Sequence, residues 1–434
     1  MTVENLRPAA ERSPAPIDRA RRRRGIRSGD VYCALVAVGL GLIVGLDGAP
    51  SWRAARLLLV AAVGVAAGIA TRVPSRRAAA VGAAVLGTLA MPVGATIGYA
   101  YLSTTGLSAR AVGGVLAAAG GLAALVAGGS ALVRAARGWH RLLAIPIVLV
   151  VGYVTVLPLS VAVYATNVPR PSLGTATPAD RGLSYQDVSF ATRDGVTLSG
   201  WYVPSTNRAA LVLLHGASST RSDVLDQAVV LARHGYGVLL FDARGHGSSS
   251  GRAMDFGWYG DQDVAAAVSY LQRRPDVDPA RIGAVGMSMG GEEAVGAMAG
   301  DPRIRAAVAE GATNRTLADR AWLPAEYGVR GRVQQGVDWL TYHLADLLTA
   351  AGPPVPLRNA VVRAAPRPVL LIAAGAVPDE SVAGNRIRAA SPSTVELWVV
   401  PGAGHTGGLY SQPGEWQRRV TAFLDRALPG TPPN

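Results

Sequence analysis

Two regimes of apolar spacing divide the chain. Up to about residue 165 the apolar positions come in long unbroken runs, at about 31–47, 55–71, 78–102, 111–133 and 142–165. A helix that crosses a bilayer needs about 20 mostly apolar residues, and the third, fourth and fifth runs reach that length. The first two are shorter and are joined by the compact turn Asp47, Gly48, Pro50 and Ser51. Backbone polar groups inside a bilayer must be satisfied within the segment, and continuous apolar runs do so as helices. The pattern therefore predicts a bundle of about five transmembrane helices over 31–165. It is preceded by a basic segment, 1–30, and followed by a linker over 166–182. From 183 to 434 the runs become short and alternate with amphipathic stretches.

Arginine placement orients the bundle. Arg19, Arg21, Arg22, Arg23, Arg24 and Arg27 precede the first run. Arg72, Arg76 and Arg77 fill the second loop, and Arg134, Arg137 and Arg141 the fourth. Loops one and three carry only Arg53, Arg56 and Arg110. Basic residues near membrane ends stay cytoplasmic, so the N-terminus is expected inside and, after five spans, the C-terminal domain outside, in a multi-pass protein of the cell membrane. Asp47 spoils the small-residue cleavage site that would make the first run a signal peptide. The pairs Gly113-Gly114, Gly120-Gly121 and Gly128-Gly129 are expected to let helices pack closely, as small residues do in membranes. None of the runs holds a convincing buried charge of the kind that marks a transport path, so the bundle reads as an anchor.

The segment from Asn167 to about Arg181 is rich in Pro, Thr and Ser, which suits an exposed connector. Beyond it, Ser184–Thr192 and Val196–Val203 flank the turn Arg193-Asp194-Gly195, a hairpin signal. Ala209–Leu214, Gly237–Phe241, Ile282–Met287, Ala306–Glu310, Pro368–Ala373 and Val395–Val400 follow as apolar strands. Between them lie helical stretches such as Asp223–His234, Gly260–Arg273 and Glu292–Gly300. This alternation predicts an α/β domain, a mainly parallel sheet with helices on both faces. In such folds ligands sit outside the carboxyl ends of the strands.

Composition narrows the function. Half of the 434 residues are apolar and 16% are charged, which excludes a disordered polymer. The single cysteine, Cys33, excludes an intrachain disulfide framework. The net charge of +13 invites a nucleic-acid reading, but its distribution opposes it. Up to Thr166 there are 17 Arg against five acids, whereas the rest of the chain is nearly balanced, 25 against 24. A nucleic-acid binder carries its basic stripe on a folded domain, and no nucleic-acid partner is expected.

The strongest chemical signal is Gly286-Met287-Ser288-Met289-Gly290, a G-x-S-x-G between an apolar strand and a helix. A serine on so sharp a turn is strained, and side chains two positions to either side would collide with the crossing backbone. The helix N-terminus brings positive potential to a developing oxyanion. Ser288 is thus the candidate nucleophile. A serine hydroxyl needs a base within hydrogen-bond reach, and His405 is the candidate, in a Gly-rich loop after the strand Leu397–Val400. No spacing of His, Cys and carboxylates forms a metal-ligand set, and no cofactor is expected.

With these motifs the region from about Leu183 to Leu428 resembles the α/β-hydrolase fold family. His215-Gly216-Ala217 is similar to the family's oxyanion loop, Phe241-Asp242-Ala243-Arg244-Gly245-His246-Gly247-Ser248 to its turn after the fourth strand, and Pro401–Thr406 to its histidine loop. The resemblance implies an oxyanion hole from the backbone N–H groups of Met289 and Ala217, with His215 and His246 shaping loops through backbone hydrogen bonds. It also implies a triad acid after the strand Val369–Ile372. Asp379, as D-x-x-V with Val382, and Glu380 are both candidates there, and Glu310 after the preceding strand is a third. A helical cap is expected over about 313–365, covering the serine and shaping an acyl pocket, with Trp322, Tyr327, Trp339, Tyr342 and His343 in it. The whole then reads as a membrane-anchored serine hydrolase acting on a small-molecule or lipid-like acyl substrate. An ester is favoured over an amide or thioester because it demands less leaving-group protonation. An acyltransferase or lipid-modifying enzyme using the same residues, and a non-catalytic membrane receptor on the same scaffold, are the rival readings.

Overall fold

In the computed structural model the described residues are 28–45, 75–167, 169–252 and 254–430, with Ala61, Gly64, Val65, Gly68 and Ile69 as helical positions between the first two stretches. The arginine cluster before residue 28 and most of the second apolar run lie outside them. The first helix, α1 (Ser28–Gly45), is apolar but short. Three others, α2 (Arg76–Thr105), α3 (Ala109–Ala135) and α4 (His140–Asn167), are long and apolar enough to cross a membrane. Ser75 and Ser108 cap α2 and α3, accepting from the N–H groups of Ala78 and Ala111. Pro92, Pro146 and Pro158 lie inside α2 and α4, where neighbouring helices in apolar surroundings tolerate them.

The paired glycines set the packing. Gly113 and Gly120 face α1, where an added Cβ would come within 2.7 Å of Leu42 and 2.8 Å of Leu35. Their neighbours Gly114, Gly121 and Gly128 face α2, where a Cβ would overlap the backbone of Gly98, Met91 and Ala84. Helix α3 therefore meets a backbone on two sides. Two apolar clusters give the directions. Tyr32 and Val36 near the start of α1 pack with Ala83 and Leu86 in the first half of α2 and with Ala124 past the middle of α3. Ile43, Ile97 and Val163 pack with Ala117 early in α3. Helices α1, α2 and α4 thus end at one side, and α3 begins there.

Helix α4 passes into the α/β domain without a free connector. Thr166 is fully buried, the carbonyl of Pro171 accepts from the N–H of Gly247 at 3.0 Å, and Arg170 reaches the carbonyl of Gly251 at 3.4 Å. The segment that follows is largely exposed, as expected of a connector, but is held to the domain at these points and at the buried Pro169 and Pro178.

Eight strands form one sheet in the order β1-β2-β4-β3-β5-β6-β7-β8. They are β1 (Gln186–Ala191), β2 (Thr197–Val203), β3 (Ala210–Leu214), β4 (Gly237–Phe241), β5 (Ile282–Met287), β6 (Ile304–Glu310), β7 (Val369–Ala374) and β8 (Val395–Val400). The β1–β2 hairpin and the β2–β4 pairing are antiparallel, and the remainder is parallel. Because side chains alternate along a strand, β3 sends Ala210, Val212 and Leu214 to one face and Leu211 and Leu213 to the other. The first face is covered by α6 (Gly260–Leu271), α7 (Met289–Gly300) and α9 (Leu357–Ala364), the second by α5 (Leu225–Arg233) and α12 (Pro413–Ala427). The remaining helices are α8 (Leu323–Leu348), α10 (Pro378–Ala390) and the short α11 (Gly408–Ser411).

Two sequence expectations shift. Helix α7 begins at Met289 rather than Glu292, immediately after the candidate nucleophile. The cap is shorter than 313–365, because Leu357, Ala360 and Val361 of α9 are buried in the sheet core. The cap proper is α8 and its flanks. It is rooted on α10, where Trp322 and Leu323 pack with Ala383.

Candidate active site

Ser288 stands between β5 and α7 with φ 54° and ψ −121°, a region that L residues visit only under constraint. The flanking glycines supply that constraint. A Cβ on Gly286 would fall on the Gly290 carbonyl, and one on Gly290 would lie 2.5 Å from the carbonyl oxygen of His215. No side chain larger than hydrogen fits either place, so the elbow closes and Oγ projects over the strand ends.

The Ser288 hydroxyl donates to His405 Nε2 at 2.8 Å. On the far side of the ring, Nδ1–H donates to Glu380 Oε1 at 2.6 Å, and the other carboxylate oxygen accepts from the N–H of Ala374 at 2.7 Å. Glu380 is buried, with 3% of its surface exposed. Its hydrogen bond and charge raise the His405 pKa above the ordinary histidine value of 6.5, against the opposing effect of burial. Gly311, at φ 72°, makes room for the ring, since a Cβ there would lie 2.9 Å from His405 Cε1.

The other two candidate acids are elsewhere. Asp379 does not meet the imidazole. Its carboxylate accepts from the Tyr327 hydroxyl at 2.5 Å and lies 3.8 Å from Arg320, pinning the cap to α10. The D-x-x-V spacing points one residue short, because successive residues at the start of a helix project about 100° apart, and the longer side chain of Glu380 faces the sheet. Glu310 is also off the imidazole. It accepts from the N–H of Gly408 at 2.7 Å and from Trp416 Nε1 at 2.8 Å, tying α11 and α12 to the end of β6. Burial raises its pKa.

The N–H groups of Met289 and Ala217 have no hydrogen-bond partner among the described residues. Met289 is the first residue of α7, where such groups are free of intrahelical partners. The oxyanion loop is near, since a Cβ on Gly216 would lie 3.3 Å from Ser288 Cβ. His215 holds that loop. Its Nδ1–H donates to the Gly216 carbonyl at 2.8 Å, and Nε2 accepts from the N–H of Ala243 at 3.0 Å. His246 meets the carbonyl of Arg244 at 2.9 Å. Burial pushes both histidines down to about 4, so both are neutral. Among the described residues no group of His, Cys and carboxylates could hold a metal ion.

A cavity of about 260 Å³ opens beside Ser288 and His405, lined by Ala217, Ser219, Gln227 and Tyr410 among others. None of its lining comes from the cap, contrary to the expectation that the cap covers the serine. Helix α8 leans on α4 instead. A second hollow, of about 250 Å³, lies under the cap between Trp258, Tyr342 and Pro353–Pro356.

Several site residues were not singled out from the sequence. Gly311 and Glu292 are two. Glu292 is buried and accepts from the N–H groups of Thr313 and Asn314 at 3.0 and 2.8 Å, and burial pushes it up to about 7. Its place two residues after the G-x-S-x-G was the available signal. Arg244 is a third. Within the turn after β4 it pairs with Asp263 and Asp194, fastening the hairpin to the site. Two residues of α4, Tyr164 and Ala165, carried no signal at all. The Tyr164 hydroxyl meets Ser218 Oγ at 3.0 Å, and Ala165 packs with Met254 and Met289.

Known proteins resemble this chain over the same region. A family model described as serine aminopeptidase, S33, matches residues 205–341. The uncharacterized protein Rv2307c of Mycobacterium tuberculosis is 34% identical over 243 residues, 55% of this chain and 76% of that protein. The polyketide transferase ATR5 of Stachybotrys chlorohalonatus is 38% identical over 131 residues, 29% of this chain and 44% of that one. Among solved structures, an esterase of Pyrococcus furiosus superposes with a TM-score of 0.48 at 29% identity, over 61% of this chain and 98% of the esterase. With its elbow serine, its strand order and the Mycobacterium tuberculosis relative matched over three quarters of its length, the chain belongs to the α/β-hydrolase fold family.

Proposed function

We propose that this protein is a membrane-anchored serine hydrolase that cleaves an ester through an acyl-enzyme. The observation that carries the reading is the continuous hydrogen-bond relay from Ser288 through His405 to Glu380. As an ester carbonyl enters, Ser288 Oγ attacks its carbon while His405 Nε2 takes the hydroxyl proton. Glu380 steadies the imidazolium without being protonated. The N–H groups of Met289 and Ala217 receive the oxyanion. His405 then returns the proton to the departing alkoxide, leaving the acyl group on Ser288. Water, deprotonated by the same nitrogen, releases the acid and restores the serine. Each oxyanion donor is worth about 100- to 1,000-fold in rate. A fluorophosphonate probe should label wild-type protein on Ser288 and leave Ser288→Ala unlabelled. Hydrolysis of a short-chain nitrophenyl ester at the wild-type rate by Ser288→Ala would overturn the assignment.

Helices α2, α3 and α4 are the candidate spans. The parallel run of α1, α2 and α4 supports an N-terminus on the side opposite the hydrolase, and Arg76, Arg77, Arg134, Arg137 and Arg141 belong to that opposite side. The hydrolase is then extracytoplasmic. Protease added to intact cells should digest the hydrolase domain, and full protection would reverse the orientation. Acyl transfer is the second reading, favoured by a relative that is itself a polyketide transferase. It keeps every step and replaces water with an acceptor alcohol. Product analysis in the presence of glycerol separates the two.

A further inference from the structure

The lower half of α4 is largely exposed, with Leu142, Ile147 and Leu149 all open and only Ala144 and Val148 half-buried. The upper half is open on one stripe alone. Tyr153, Leu157, Val161 and Tyr164 are 36–56% exposed and recur at intervals of four, four and three, which places them on one face. Pro158, Ala162, Val163, Ala165 and Thr166 on the other face are buried. The stripe spans about 16 Å at 1.5 Å per residue, and it ends at the reaction centre. The Tyr164 hydroxyl meets Ser218 Oγ, next to Ala217, and the following residue, Ala165, packs on Met289. The last apolar helix therefore touches both segments that supply the oxyanion N–H groups. Phe256, packed against the same Ala165–Met254–Met289 cluster, continues the apolar surface.

We propose that this stripe is an acyl-chain rail. The substrate is an amphiphilic long-chain ester drawn from the bilayer, with its acyl chain laid along Val161, Leu157 and Tyr153 and its carbonyl delivered to Ser288. The inference rests on Ser288 being the nucleophile and goes beyond it by naming the substrate class and the residues that select it. A tether that only held the domain near a membrane would have no reason to end on the oxyanion loop. A rail that delivers a chain would.

The test uses the full-length protein in lipid nanodiscs and nitrophenyl esters from butanoate to hexadecanoate. The readout is the ratio of kcat/KM for the long ester over the short one. The long ester enters the disc because each methylene that leaves water contributes up to about fourfold, so the wild-type ratio should exceed about tenfold, and the rail is read from how that ratio changes in the variants. Val161→Asn and Tyr153→Ser should each cut the ratio by roughly tenfold, the first by placing an amide under the chain and the second by removing the ring it lies on. Tyr153 lies far from the chemistry, so its variant reports on the rail even if Val161→Asn disturbs the loop. A wild-type ratio near one, or a ratio unchanged in both variants, overturns the rail. The latter is also the result expected if the stripe were a contact between copies of the chain. Absence of Ser288-dependent hydrolysis for every ester would instead overturn the nucleophile.

Discussion

Replacing Glu380 by Gln sets two buried hydrogen bonds against each other. In the native site one carboxylate oxygen accepts from His405 Nδ1–H at 2.6 Å and the other from the Ala374 N–H at 2.7 Å. A carboxylate accepts on both sides, whereas an amide accepts on one and donates on the other. If the amide oxygen stays on Ala374, its NH2 group faces Nδ1 and forces the tautomer with hydrogen on Nε2, which cannot take the serine proton. If the amide turns, two donors meet at Ala374 in a site only 3% exposed, at a cost of about 1–3 kcal/mol. The first arrangement avoids that cost and abolishes the base. The expected loss in kcat is on the order of 10³- to 10⁴-fold, the scale of a triad held in the wrong tautomer. The residual activity has a signature. Glu380 is the main reason the His405 pKa stands above 6.5, and a group acting as base must be neutral. The wild-type acidic limb of kcat/KM therefore lies above 6.5 and moves to lower pH in Glu380→Gln. The assay is hydrolysis of nitrophenyl butanoate over a pH series, with thermal unfolding confirming the fold. A Glu380→Gln variant within threefold of wild type, or a limb that moves upward, would refute the reasoning.

Asp379→Asn removes only a contact with Tyr327 and Arg320, so kcat should stay within about threefold while unfolding moves by less than about 1 kcal/mol, the range of an exposed pair; parallel ester assays and melts decide it. Gly311→Ala adds a Cβ at 2.9 Å from His405 Cε1 at a left-handed position, and should cost about 1–2 kcal/mol in backbone strain together with a clear loss of kcat. Gly121→Val should separate α2 from α3, and its readout is a lower unfolding temperature of the detergent-solubilised chain. His215 and His246 are held near 4 in the folded state against 6.5 in an open chain. The unfolded chain thus binds more protons between those values, and stability falls as pH drops from 6.5 toward 4, by up to about 1.4 kcal/mol per pH unit for each. Glu292, at about 7, titrates with the opposite sign, so the quantity to compare is the slope lost in His246→Asn by urea unfolding at several pH values.

Strand positions were legible because the apolar runs are short, β-rich and bounded by turn residues. Gly237–Phe241 and Ile282–Met287 coincide with β4 and β5. Ser288 and His405 could be singled out for a related reason: each follows a strand in a Gly-rich loop, and around Ser288 the glycines have no alternative. Choosing between Asp379 and Glu380 was not possible on spacing, because the deciding fact is the direction of a side chain on the first turn of α10. The extent of the cap failed differently. Leu357–Ala364 is amphipathic whether it covers a sheet or a substrate, and only the sheet's position tells which. The contact of α4 with the candidate site was invisible because Tyr164 and Ala165 are ordinary residues in an apolar run, and what they touch lies more than fifty positions away.

The missing slack after α4 has its own consequence. Thr166 is buried, and Arg170 and Pro171 are hydrogen-bonded to the turn after β4, which leaves the catalytic domain little leash on which to swivel. On the proposed reading, the serine sits at one fixed height above the lipid surface. Molecules dissolved in the surrounding fluid would have to find that station by chance, whereas those already diffusing in the plane of the membrane pass it repeatedly.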